Sequence, residues 1–449
     1  MAGIVIDVKC YICNYSENNL NMLRLLLLSD IHLLSMATEM DPHHRMRKAF
    51  LQVVQDYTNE YGAIEHILVS GDIANKGKKE EYADALSFFK ELCKSAGCLE
   101  EEIYVVPGNH DKNFNAPNSS IRHIIHAGLG NESVDTDNFY YELLTDDFSH
   151  AQLLYQPFEE YHKFAFNIDS VDPLMTKCLD GDKNAHFNHA EDKAYMRKEL
   201  TNIGNYKTVL YAMNTALNAD WYDFNDSEKG HKLFLPRLCY NADTEDEGCI
   251  NIAMMHHPIT YLVNGDEISR ELDEKFPIQI FGHIHKPVSD NKVSIHIHSG
   301  ALQPHQEGED KDDAYFSVFN ILELDVEHEN ENDILSVMLR VIQYDKRTKA
   351  FKKMKDESKQ FSIKLKKHNN LWDEQQVESS KSIKKELPEG VTIRKVRFSF
   401  LQHPNPKAII NEFSTYIESK SYTENCVDFL KKMEEEGKMY ELWNRLNAK

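Results

Sequence analysis

No apolar run in this sequence approaches the roughly 18 residues needed to cross a bilayer. The longest, around Leu25 to Leu28, is a strand's length, so no membrane span is expected. The first residues, MAGIVIDVKCYICNYSENN, lack a positively charged start followed by an apolar stretch, and no secretory signal is read there. The eight cysteines are not densely spaced, and Cys10-x-x-Cys13 has no partner pair. Reduced thiols and a cytoplasmic location are expected, rather than a disulfide framework or a zinc site. Basic charge is also short: 51 Lys+Arg stand against 73 Asp+Glu, a net charge of −22. Residues 1–350 hold 31 basic against 58 acidic groups (−27), whereas residues 351–449 hold 20 against 15 (+5). Such an acidic body is a poor match for non-specific binding along a phosphate backbone. A bound metal cluster reverses the local potential, so a nucleic-acid substrate stays open. With 41% hydrophobic and 28% charged residues, the chain is neither disordered as a whole nor fibrous.

What is present is an α/β rhythm that begins at Met22. LRLLLLS (Leu23 to Ser29) is continuously apolar, as a strand covered on both faces should be. Met46, Phe50, Val53, Val54, Tyr57 and Tyr61 recur at helical spacing, followed by a strand at HILVSGD (His66 to Asp72). Tyr82, Leu86, Phe89 and Cys93 mark a second helix, and IYVV (Ile103 to Val106) a third strand. Strands and helices alternating over short connections argue for βαβ units. From 112 to 248 the pattern loosens, with one strand read at TVLYAMNT (Thr208 to Thr215), and an insertion overhanging a site is expected. Strands return at NIAMM (Asn251 to Met255), IQIFG (Ile278 to Gly282) and VSIHIHS (Val293 to Ser299), with two more near 315–344. That late run of strands predicts a second sheet layer. The resulting expectation is an extension over 1–21, an α/β main domain over 22–350, a linker or peripheral segment over 351–400, and a helical module over 401–449.

Five short segments follow apolar strands directly: Asp30-Ile31-His32, Gly71-Asp72, Gly108-Asn109-His110-Asp111, His256-His257-Pro258 and Gly282-His283-Ile284-His285. In an open α/β sheet, ligands collect beyond the carboxyl ends of the strands. The donors are oxygen and imidazole, without thiolate, which suits Mn, Fe or Zn better than a soft metal. Residues two apart in an extended segment point the same way, so D-x-H and H-x-H can each present two donors to one ion.

The ordered set D-x-H, G-D, G-N-H-D, H-H-P and G-H-x-H resembles the calcineurin-like metallophosphoesterase superfamily, over about residues 22–330 without the 112–248 stretch. The resemblance implies a four-layer α/β/β/α sandwich, to which this chain's own pattern adds a large insertion and a small helical C-terminal module. It also implies two metal ions, drawn from Mn, Fe, Zn or Ni. By it, Asp30, His32 and His285 would hold one metal, Asn109, His256 and His283 the second, and Asp72 would bridge them. In the family's H-x-P form the ligand is the residue two before the proline, hence His256. His257 is left as either a substrate contact or a packed neighbour. His110 would touch the substrate phosphate and act as general acid, with Asp111 orienting it. The implied reaction is hydrolysis of a phosphodiester by metal-activated water, without a covalent intermediate.

The serine/threonine phosphatases of that superfamily carry Val-Asp-Arg-Gly after the bridging aspartate, whereas this chain has Ile73-Ala74-Asn75-Lys76-Gly77 and no arginine. The phosphoprotein-phosphatase reading is weakened accordingly, and phosphodiesterase and nuclease members are the better match. Nucleotide and nucleic-acid substrates both remain open. A non-enzymatic scaffold is disfavoured, because every ligand position of the pattern is filled. The run VDFLKKMEEEGKMYELWNRL is faintly similar to helical adaptor domains that tether effectors to partner ATPases in bacterial conflict systems. A protein partner docking on 401–449, and a nuclease effector docked to such an ATPase, follow from that likeness as expectations.

Overall fold

The computed structural model describes residues 22–34, 43–146, 148–180, 185–220, 232–240, 248–291, 293–304, 316–329 and 332–365, with residue 182 and scattered residues between 388 and 447. The expected extension over 1–21, with Cys10 and Cys13, lies outside the described residues, as do 366–387 of the expected linker. Among the described residues no helix is long and apolar enough to cross a membrane.

The first strand, β1 (Leu23–Leu28), is buried along its whole length. Its alternate residues serve two cores. Leu23, Leu25 and Leu27 join a cluster containing Leu210, Ile252, Ile280 and Ile297 from the opposite sheet. Leu26 and Leu28 join the cluster of Phe50, Val54, Phe88 and Phe89 from the covering helices. This two-sided burial is why the strand reads as a continuous apolar run rather than an alternation. Each fully buried leucine contributes roughly 1.5–3 kcal/mol relative to exposure. The covering helices are α1 (His44–Tyr61), burying Met46, Phe50, Val54 and Tyr57, and α2 (Lys79–Ala96), burying Tyr82, Ala85, Phe89 and Leu92. These positions recur every three or four residues, the stripe of a helix with one covered face.

β2 (His66–Val69) and β3 (Ile103–Val105) continue the sheet in parallel. On its other side β1 pairs antiparallel with β10 (Val318–Glu329), which pairs with β11 (Asn332–Asp345). Two short strands, β12 (Ala350–Lys353) and β13 (Lys359–Lys364), both pair with β11. Residues 350–364, expected largely as linker, thus extend the first sheet. Their Lys-rich pattern hid this, because only Phe351 and Phe361 are buried there, as expected of strands at a sheet edge.

The second sheet has the order β4-β5-β6-β7-β9-β8. It comprises β4 (Tyr195–Ile203), β5 (Tyr206–Met213), β6 (Ile250–Met255), β7 (Ile278–Phe281), β8 (Val288–Asn291) and β9 (Ile295–His298). β5, β6, β7 and β9 run parallel. Helix α8 (Gly265–Lys275) buries Ile268 and Leu272 in the helix-side cluster that also takes Tyr211, Met213, Ala253 and Met255. The architecture is therefore the α/β/β/α sandwich.

Between residues 119 and 179, five α-helices lie in series: α3 (Ser119–Leu129), α4 (Thr136–Thr145), α5 (Phe148–Tyr155), α6 (Glu159–Asn167) and α7 (Pro173–Leu179). The rest of the described stretch is not an overhang, since β4 and β5 are full members of the second sheet. β4 escaped the sequence reading because Arg197, Lys198 and Glu199 interrupt its apolar residues on a strand with one open face. Near the C-terminus, α9 (Pro406–Phe413) and α10 (Met439–Leu446) contribute Ile409, Ile410, Met439 and Leu442 to a cluster of their own, with Phe400, Phe429 and Met433.

Candidate metal centre

All five motif segments leave the carboxyl ends of parallel strands, β1, β2 and β3 of the first sheet and β6 and β7 of the second. Both sheets therefore feed one place. The segments are pinned to each other through their backbones. Asp30 N–H donates to the Gly71 carbonyl (3.0 Å), and the Ile31 and His32 N–H groups both donate to the Asp72 carbonyl (2.8 and 3.0 Å). Gly282 N–H donates to the His256 carbonyl (2.9 Å). At Gly108 a Cβ would collide with the Asp72 carboxylate, and at Gly71, with φ of +95°, it would lie 2.5 Å from His256 Nδ1. Those two glycines are what let the loops close this tightly.

Each donor is aimed by a neighbour. Asp30 Oδ2 accepts from Ser29 Oγ (2.6 Å) and His283 N–H (3.1 Å), while Oδ1 lies 3.0 Å from His285 Nε2 and 3.8 Å from His32 Nε2. Asp72 Oδ1 accepts from His110 N–H (2.8 Å), and its Oδ2 stands 3.3 Å from His256 Nε2. His256 Nδ1 lies 2.7 Å from the Ser70 carbonyl, an acceptor, so Nδ1 carries the proton and Nε2 faces the cluster. Asn109 Oδ1 is 3.1 Å from both His256 Nε2 and His257 Nε2.

Four three-residue groups have donor atoms lying within 4.8 Å of one another: Asp30, His32 and His285; Asp30, Asp72 and His256; His32, Asp72 and His110; and His256, His257 and His283. The structure thus brings together Asp30, His32, Asp72, Asn109, His110, His256, His257, His283 and His285. Hard oxygen and imidazole donors converging in this way fit divalent cations. Backbone strain points to the same place. Of the eight non-glycine residues with positive φ among the described residues, five are Asp30, His32, Asp72, His283 and His285. Such conformations cost of order 1 kcal/mol or more each and collect at sites where the geometry matters more than local comfort.

Burial alone would raise the Asp30 carboxyl, but the His285 hydrogen bond and the charges of His256 and His285 outweigh it and hold it at about 2. Asp72 is likewise held well below the usual carboxylate range: burial works against this, and His256 and His110 overcome it. Conversely, burial would lower His256, yet Asp72 and Asp30 lift it to about 9. Burial, joined by the charge of His256, drives His283 down to about 4 and His257 well below its ordinary value.

Hydrogen bonds set the surroundings of His110, Asp111 and His257. His110 Nδ1 lies 2.8 Å from the Asn75 carbonyl, which fixes its ring. Asp111 instead accepts from the N–H groups of Ile73 (3.2 Å), Ala74 (2.9 Å) and Gly108 (2.9 Å) and from the Tyr82 hydroxyl (3.0 Å). It staples the two loops, and burial followed by the Asp72 charge raises its carboxyl to about 6. His257 is fully buried, with Nε2 3.1 Å from Asn109 Oδ1 and Nδ1 3.1 Å from the Thr215 hydroxyl. The Asn75 carbonyl, Thr215 and Tyr82 had no legible signal in the sequence: one is backbone, and the others act from outside the motifs. His296 and His298 lie apart from these groups, His296 beside Asp273 and His298 stacked on Phe281.

The profile of the calcineurin-like phosphoesterase family matches residues 23–287, more than half of the chain. The chain belongs to that family. The family's divalent metals and phosphoric-ester hydrolysis suit the donor set just described. A search of curated protein sequences gives no match. Among solved structures, the chain is similar to a purple acid phosphatase from yellow lupin (12% identity, TM-score 0.33, 71% of this chain and 51% of that one). It is also similar to a 5'-nucleotidase precursor from Thermus thermophilus (11%, TM-score 0.31, 77% and 54%). A third is the NAD nucleotidase of Haemophilus influenzae (11%, TM-score 0.32, 93% and 60%). The chain spans between about half and three fifths of the length of each of these.

Proposed function

We propose that this protein is a dinuclear-metal phosphodiesterase acting on a nucleotide or nucleic-acid phosphodiester. The observation that carries the reading is the convergence of nine donor residues from five strand ends of two sheets into one cluster. Asp30, His32 and His285 would hold one cation, Asn109, His256 and His283 the other, with Asp72 between them. Two such cations supply an activated water and neutralise charge on the phosphoryl oxygens.

The chain's own residues do the rest. His110 Nδ1–H is committed to the Asn75 carbonyl, so in the doubly protonated ring Nε2 is the atom that presents a proton to the leaving oxygen. Its backbone N–H on Asp72 ties the acid to the bridging position. Asp111 keeps the Gly108–Asn109 turn pressed on 73–74, so the acid and both metal sites share one frame. The net charge of −27 over residues 1–350 favours a small substrate over non-specific polymer binding.

The test is Mn²⁺-dependent cleavage of a small chromogenic diester, nucleotides, and labelled DNA and RNA by wild type and Asp72→Asn. The variant is expected to lose more than about 100-fold, beyond the loss typical of a supporting contact alone. Cleavage of polymers would move the reading to a nuclease and make 401–449 the place to seek a partner ATPase. Hydrolysis that survives Asp72→Asn would remove the proposed metal bridge.

A further inference from the structure

After His257-Pro258 the chain makes a single turn of 3₁₀ helix, Ile259–Tyr261. That turn is anchored from several sides. Tyr261 N–H donates to the Pro258 carbonyl (3.0 Å), its own carbonyl accepts from Leu233 N–H (3.0 Å), and Val263 N–H donates to the Leu233 carbonyl (2.7 Å). Gly265 sits so close that a Cβ there would lie 2.5 Å from the Ile259 carbonyl. The backbone of Tyr261 is therefore fixed, yet the residue is 45% exposed. The ring stands edge-on to His283, with centroids 5.2 Å apart at 82°, and lies 6.5 Å from the ring of His257. Its hydroxyl has no hydrogen-bond partner among the described residues.

A tyrosine kept only for packing is usually buried. This one is about half exposed, and it sits at the rim of the donor cluster. We propose that the exposed ring of Tyr261 receives the planar aromatic part of the substrate, a nucleobase carried on the phosphate that docks at His110 and the metal cluster. This rests on the phosphodiesterase reading and narrows it to substrates bearing a base. Stacking on an aromatic face tolerates any base, because every base has a π-face. Tyr261 would then secure affinity for nucleotides as a class without choosing among them. The competing role is packing alone, with Tyr261 merely steadying His283.

Binding separates the two roles without relying on turnover. AMP and ribose 5-phosphate share phosphate and sugar and differ by the base. Calorimetry on the Mn²⁺-loaded full chain should show wild type binding AMP on the order of tenfold more tightly than ribose 5-phosphate. Tyr261→Phe should keep that preference. Tyr261→Leu, which keeps bulk against His283 without a π-face, should lose most of it while ribose 5-phosphate binding stays within about twofold. A preference that survives Tyr261→Leu, an equal weakening of both ligands, or no preference in wild type would each overturn the proposal. If the preference depends on Tyr261 but no diester is cleaved, the enzymatic reading fails and the base-binding site stands.

Discussion

Asn109, His257 and Thr215 show how a neutral amide can be aimed by a chain of hydrogen-bond polarities. The Thr215 hydroxyl oxygen accepts from His257 N–H (2.9 Å) and lies 3.1 Å from His257 Nδ1, so its own hydrogen is free to donate to that nitrogen. The proton of a neutral His257 then sits on Nε2 and donates to Asn109 Oδ1 (3.1 Å). Burial, which pushes His257 well below its usual pKa, keeps the ring neutral and the polarity consistent. His257 is then better read as the residue that orients Asn109 than as a substrate contact. His110 carries the sharper prediction. If its Nε2 protonates the leaving oxygen, His110→Ala should cost about 10²–10⁴-fold on diesters with alkoxide leaving groups. Nitrophenyl diesters, whose leaving group needs no proton, should lose far less. Steady-state rates across a leaving-group series would show the difference, and a uniform loss would deny His110 the role of acid.

Between elements, the joint that stands out is Lys112, directly after the Gly108–Asp111 motif and only 1% exposed. Its Nζ donates to three carbonyls of one loop, Ala216 (3.1 Å), Leu217 (3.0 Å) and Ala219 (2.6 Å), and lies 5.1 Å from the centre of the Phe158 ring. The loop after β3 is thereby locked to the loop after β5, which carries Thr215. Lys112→Met would strand three carbonyls, and a loss of about 3 kcal/mol is expected, read as a lower urea midpoint. An unchanged midpoint would mean water replaces the ammonium there. Legibility at this scale followed burial. β1, β2, β6 and β7 are covered on both faces and announce themselves as apolar runs. β4, β12 and β13 each have exposed positions filled by charge, and the sequence concealed them in an expected insertion and linker.

Across the molecule, metal affinity should be coupled to protons. In the metal-free protein the proton on His256 is held up to about 9 by Asp72 and Asp30, and His285 is raised by its hydrogen bond to Asp30. Cations entering the cluster must displace those protons, so affinity is expected to rise with pH from about 6 to 9, with net proton release near neutrality. Calorimetry in buffers of different ionisation enthalpy measures that release, and none at pH 7.5 would mean the rings are already neutral. The same shifts make the His256–Asp72 pair stabilise the metal-free fold fully between about pH 3.8 and 6.5, the two unfolded values, with the contribution lost as pH rises through about 9 or falls through the depressed value of Asp72. The chain alone determined the strand runs, the five motifs and their order, because hydrophobic burial and backbone closeness demand particular residues locally. Only the tertiary structure decided that strand ends of two different sheets meet. It also joined Asp111 to the backbone of residues 73–74 and to Tyr82, and it set a half-exposed tyrosine beside His283. Those are relations between segments far apart in sequence, created by packing two sheets face to face, and no local pattern encodes them.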